Sequence, residues 1–290
     1  MNPGVVTLTN DDLVVEVLSR AGGRVSRLQS RRDAREWLSA PVSRDAPTSV
    51  ATNYADTEHF GWDEMLPSVD PSVYVGPPYD GVAVPDHGEL WSAQWEVVAA
   101  TDTSVHQRVR GQRFDFTFER HLELVGSRLR ASYQCTVGST MTMLWALHPQ
   151  FASVEGTRLE MEDVGPYWYA GAGNGLRETP WGGQLVVARD VAVGADQNYY
   201  VDPSRRDVRP RLVDPNGATL SLDWDREFAP YLVVWVDHRH LTSGLIIAIE
   251  PMSGFYDDLG RAQRSGRIST FHPGAATTWW VQLDVTPGGE

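Results

Sequence analysis

The clearest periodicity in the chain is an alternation of apolar and polar positions with a period of two. In Phe114-Asp115-Phe116-Thr117-Phe118-Glu119 three phenylalanines share one face and polar residues take the other, which predicts a strand. Leu129, Ala131, Tyr133, Cys135 and Val137 repeat the pattern against Arg130, Ser132, Gln134 and Thr136, and Gly126-Ser127 reads as the turn joining the two. Met141 to His148 predicts another strand, ending at Pro149 because proline cannot donate to a ladder. Further strands follow at 184–188, 218–224, 231–236, 245–249 and 277–285, separated by turn signals such as Asp214-Pro215-Asn216-Gly217.

Toward the start, two apolar runs between Val5 and Leu18 flank Asn10-Asp11-Asp12 and predict a hairpin, which Ala21-Gly22-Gly23 closes off. Arg31 to Leu38 is the one helix candidate nearby. Residues 39–84 are rich in Pro, Ser, Asp and Gly around an aromatic centre, Phe60-Gly61-Trp62-Asp63-Glu64-Met65-Leu66-Pro67, and predict an ordered but irregular wall. No long stretch carries the helical period and no internal repeat is visible. The expected fold is therefore all-β, two large packed antiparallel sheets, taken as one domain over residues 1–290.

Composition narrows the chemistry. Every one of the 25 basic side chains other than histidine is arginine, which removes lysine Schiff bases, lysine-bound pyridoxal phosphate and the P-loop lysine. A formal net charge of -13 with scattered arginines disfavours nucleic acid as a partner. The glycine-rich 171–176 lacks the last glycine of a dinucleotide fingerprint and reads as a loop. Neither a Gly-x-Ser-x-Gly elbow nor a Cys-x-x-Cys pair is present. Cys135, the single cysteine, falls on an inward face and reads as core. With no basic, apolar leader at the N-terminus and no apolar run long enough for a membrane helix, the expected location is the reducing cytoplasm.

Candidate chemistry concentrates first in Pro85-Asp86-His87-Gly88-Glu89-Leu90-Trp91, where polar groups are packed between a proline and a tryptophan in a tight loop. Two more polar groups break alternating patterns at strand ends, His148 and Glu250. On the pleat Glu250 shares a face with Ile246 and Ala248, so loss of solvent should raise its proton affinity toward that of a useful base. The plainer reading is a strand-end glutamate reaching water or an arginine. Trp62, Trp91 and Trp168 lie in segments read as loops and could stack on a ligand, although most of the 11 tryptophans must be core. His238 and His240 share a face and could share an ion, but Leu241-Thr242-Ser243-Gly244 adds no third ligand, and no metal is expected.

Taken together, these residues resemble the aldose 1-epimerase family, the galactose mutarotase-like proteins. The resemblance runs nearly the whole length: the opening strand and Ala21-Gly22-Gly23, Asp86-His87-Gly88, His148-Pro149-Gln150-Phe151, Glu250-Pro251, and Pro273-Gly274 before the last aromatic strand. It implies a β-supersandwich with an open sugar cleft, Glu250 as catalytic base, His148 as acid, and His87 as a sugar contact. It implies no metal or redox cofactor, and a monosaccharide or sugar derivative as the partner. Anomer exchange needs a base for the C1 hydroxyl proton and an acid for the ring oxygen, which open the ring and close it on the other face.

The family's Gly-Arg-x-x-Asn-Arg stretch is absent, and the corresponding segment begins Gly61-Trp62-Asp63-Glu64. Asp63 and Glu64 would favour hydroxyls or amines and repel phosphate. With Trp62, Glu89 and Trp91 they complete the expected sugar contacts. The alternative function is a non-catalytic sugar-binding or sensing protein on the same fold.

Overall fold

In the computed structural model, which describes residues 4–41, 53–161, 166–170, 176–180, 184–205 and 207–289, the alternating segments become strands of two antiparallel sheets. Among the described residues the first sheet has ten strands, in the order Val5–Thr9, Leu13–Leu18, Arg24–Ser30, Trp62–Met65, Ala146–Ser153, Leu245–Met252, Tyr231–His238, Ala195–Val201, Pro166–Ala170 and Leu176–Pro180. The second has nine, with Thr277–Thr286, Arg128–Val137 and Phe116–Val125 side by side at its centre. The expected all-β sandwich is what forms. One apolar cluster fills the space between the sheets, from Val6 to Val285, and it includes Phe114, Phe116, Phe118 and Cys135.

Period two explains which residues meet in that layer. Along Leu245–Met252, Ile247 and Ile249 join the central core, whereas Ile246 and Ala248 pack with Trp235 in a separate small cluster on the sheet's other face. Glu250 belongs to this second face.

Several elements depart from expectation. Arg31 to Leu38 is not a helix: it turns and then makes isolated bridges, Gln29 with Glu36 and Leu38 with Phe151. Consecutive Trp37 and Leu38 are both fully buried, and Arg35 stacks on Trp37 while pairing with Asp214, contacts that a helical spacing would not place. A short helix forms instead at Leu259–Ser265, capped by Asp258 and stopped by Gly266 in the left-handed region. The run from Met141 to His148 divides into Met141–Met143, which pairs with Ser269–Phe271, and Ala146–Ser153. Pro149 does not end that strand. The run at 184–188 is a strand only through Val186, and Val187–Asp190 is a helical turn. Residues 171–175 lie outside the described residues, so the loop expected there is not described.

Candidate active site

The site lies on the face of the ten-stranded sheet turned away from the central core, and strand register assembles it. Asp63 pairs with His148 across neighbouring strands, Glu250 pairs with Val233, and Val233 pairs with Tyr200. Between Ala146–Ser153 and Leu245–Met252 the ladder holds at Ala146↔Met252 and at Gln150↔Ala248, and the same register sets His148 opposite Glu250 in the unpaired gap between. Pro149 and Pro251 sit in that gap and have no amide hydrogen to close it. Asp63, His148, Glu250, Val233 and Tyr200 thus form one line across the sheet.

His148 and Glu250 line a cavity of about 200 Å³ together with Tyr54, His87, Asp257 and Trp235, among others. Both side chains are buried, each with 5% of its surface exposed. Burial first, and then the charge of Asp257, holds the Glu250 carboxyl well above the usual carboxylate range. Burial also holds His148 well below the usual imidazole range, with His87, His59 and Arg24 adding to it. No protein group among the described residues hydrogen-bonds to the Glu250 carboxyl.

Tyr54 organises the histidines. Its hydroxyl donates to Asp63 Oδ2 at 2.8 Å, accepts from Gln150 Nε2 at 3.0 Å, and lies 3.1 Å from His148 Nδ1. Asp63 is bound to the Arg24 guanidinium at 2.6 Å and can only accept, so the single hydroxyl proton points to it. His148 Nδ1 must then carry a hydrogen and donate to Tyr54, which leaves Nε2 as the ring's free acceptor. The Tyr54 ring stacks on His87 with centroids 3.8 Å apart and planes 7° from parallel.

His87 reaches the cavity from its loop through a strained backbone. Its φ is +57°, in the left-handed region that side chains rarely occupy, and Asp86 Oδ1 bonds its Nδ1 at 2.8 Å. The other Asp86 oxygen accepts the Tyr54 amide at 3.0 Å, and Trp91 Nε1 donates to the Asp86 carbonyl at 3.0 Å. Gly88 follows at φ +72°, where an added Cβ would sit 2.0 Å from the Leu66 carbonyl oxygen.

Of the other expected contacts whose side chains are described, none lines the cavity. Asp63 is fully buried behind Tyr54 and acts through it. Glu64 points to the central core, where Trp62 Nε1, Arg120 Nη1, Tyr133 Oη and Trp145 Nε1 all donate to its carboxylate within 3.1 Å. Trp62 is a fully buried strand residue rather than a loop residue. Glu89 is spent on the backbone amides of Gln112 and Arg113, at 2.7 and 3.0 Å. Trp91 is fully buried and meets Tyr54 edge-on. Trp168 lies on the strand Pro166–Ala170 and not in a loop. His238 and His240 do not converge: His238 Nδ1 meets the Val191 carbonyl and His240 Nδ1 meets Asp196.

Sequence reasoning left out Tyr54, Asp257 and Trp235. Trp235 had a usable signal, since its register places it beside Ala248 on the Glu250 face. Asp257 and Tyr54 had none, because both sit outside alternating segments.

This two-sheet architecture is the galactose mutarotase-like fold. Among solved structures the chain is similar to the Slr1438 protein of Synechocystis sp. PCC 6803, with a TM-score of 0.77 and 18% identity over 99% of this chain and 96% of that one. It is similar to a galactose mutarotase related enzyme from Lactobacillus acidophilus at a TM-score of 0.74 and 15% identity, covering 99% and 98%. A galactose mutarotase-like protein from Lactobacillus casei gives 0.73 and 17%, covering 98% and 100%. At these identities the likeness is one of fold. No protein-family model and no curated protein matches the sequence.

Proposed function

We propose that the protein is an aldose 1-epimerase-like isomerase that interconverts the α and β anomers of a sugar, with Glu250 and His148 as the proton-transferring pair and His87 as a sugar contact. The observation that carries this reading is the pair itself: two buried groups of opposed proton affinity, set opposite each other on a cavity wall, with the Glu250 carboxyl and His148 Nε2 unpartnered among the described residues. Their environments favour a neutral pair with one transferable proton, on Glu250, and the free lone pair on His148 Nε2. Ring opening uses that proton count in either direction: one group protonates the ring oxygen while the other takes the C1 hydroxyl proton, and reclosure returns both. At rest, the favoured direction is the reverse of the base and acid roles that the family resemblance implies. No redox step is involved, and the sugar's own carbonyl is the intermediate.

The test is anomer exchange by magnetisation-transfer NMR on a panel of aldoses, with Glu250→Gln and His148→Asn in parallel. Exchange that is accelerated by the parent and lost in both variants supports the isomerase. Sugar binding seen as line broadening, with no acceleration on any sugar, replaces it with a sugar-binding protein on the same fold.

A further inference from the structure

The cavity is acid-lined, and its carboxyl groups are unequally neutralised. Asp70, Asp86, Glu250 and Asp257 all line it, and among the described residues no arginine does. The chain has no lysine to supply a cation either. Asp86 is held by His87 Nδ1 and the Tyr54 amide, as described above. One Asp257 oxygen takes the Tyr200 hydroxyl, while the Asp70 carboxylate has neither a hydrogen bond nor an ion pair among the described residues. Burial and the neighbouring Asp70 push the Asp257 carboxyl up to about 7.

The cations within reach answer this charge only in part: His87 acts on Asp70 through space, but its Nδ1 is bound to Asp86. Arg24 is bound to Asp63 and does not line the cavity. Arg261 lies 4.2 Å over the Tyr256 ring and makes no ion pair with Asp70 or Asp257, although its charge is felt by both. Its neighbour Asp258 caps the helix that carries it and adds negative charge on the same side. A site that takes a neutral hydroxyl needs only one acceptor per donor. Asp70 at the exposed rim and half-buried Asp257 make no ion pair, and together with the buried, unpartnered Glu250 carboxyl deeper in they are the setting for a cationic donor that spans from rim to interior.

We propose that the cavity selects its sugar by charge: an aldose carrying a protonated amine is preferred to the uncharged aldose, and a phosphate ester is refused. This rests on the reading of the cavity as the sugar site. The ammonium group sits against Asp70 and Asp257, where its three donors replace water and its charge offsets the carboxylate pair. A phosphoryl group would bring roughly two negative charges to the same wall.

The experiment compares glucosamine, N-acetylglucosamine, glucose and glucose 6-phosphate in the same NMR exchange assay, at a pH where the amine is protonated, with Asp70→Asn alongside. Glucosamine should exchange or bind about 10- to 100-fold better than glucose or its N-acetyl form, the scale of a charge-assisted hydrogen bond. That ratio should collapse in Asp70→Asn and shrink with added salt. Glucose exchanging as well as glucosamine, or glucose 6-phosphate exchanging as well as either, overturns charge selection and leaves the isomerase reading standing. If no sugar exchanges, the isomerase reading falls and line broadening decides. Tighter binding of glucosamine then supports charge selection, and equal or absent binding overturns it.

Discussion

His148 and Glu250 face each other across two antiparallel strands at the stretch where those strands are not paired with one another. In the proposed mechanism the two act as a unit, so removing one should forfeit most of what the pair contributes. His148→Asn or Glu250→Gln should each lower kcat by about 10²- to 10⁴-fold. The double variant should fall little further than the worse single one. Multiplicative losses would show that the two groups work independently.

Tyr54→Phe separates positioning from binding. Phenylalanine keeps the ring against His87 but removes the partner of Asp63 Oδ2, Gln150 Nε2 and His148 Nδ1. Leaving such buried groups unsatisfied should cost about 1–3 kcal/mol in urea unfolding. Freed from its fixed tautomer, His148 should support a kcat lower by roughly 10- to 100-fold. KM should stay near the parent value, and a change confined to KM would contradict the positioning role.

Asp257 ties stability to pH. Its carboxyl is raised from 3.8 to about 7 on folding, by burial first and then by Asp70. Below 3.8 both states hold this proton and the stability that Asp257 contributes is fully present. As pH rises toward about 7 the unfolded chain alone releases the proton, and stability falls. The loss is at most ~4 kcal/mol, at about 1.4 kcal/mol per pH unit. Asp257→Asn should therefore be more stable than the parent above neutrality and equal to it in acid. Parallel profiles of urea midpoint against pH for the two proteins would rule this out.

Glu64 tests the sheet's inner face. Glu64→Gln leaves the Arg120 guanidinium, fully buried, without its counter-charge. Unfolding should become easier by about 3–5 kcal/mol. Exchange per folded molecule should be unchanged, since Glu64 does not line the cavity. A variant that folds normally and loses activity would return Glu64 to the sugar.

The alternating segments were legible because period two is a local signal: the hairpin at Val5–Leu18 and the strands around Phe116 and Leu129 follow from it directly. The same signal placed Glu250 with Ile246 and Ala248. Applied to Trp62-Asp63-Glu64, it would also have separated neighbours that cannot face the same side, and it puts Asp63 on the His148 face and Glu64 in the core. Tyr54 was not legible, because nothing in its own neighbourhood specifies an encounter with residues 63, 148 and 150. Pro149 misled for a related reason. Proline forbids an amide bond, but whether a strand stops or merely opens a gap depends on the neighbour across from it.

The strand Leu245–Met252 carries two instructions on alternate residues, one for folding and one for chemistry. A single residue inserted ahead of Ile246 would exchange the two sets, handing the cavity an isoleucine and driving a carboxylate into the apolar layer. No such insertion damages one without the other. Length here is therefore under a double constraint, and variation in what the site accepts has its freedom in the loops that rim the sheet.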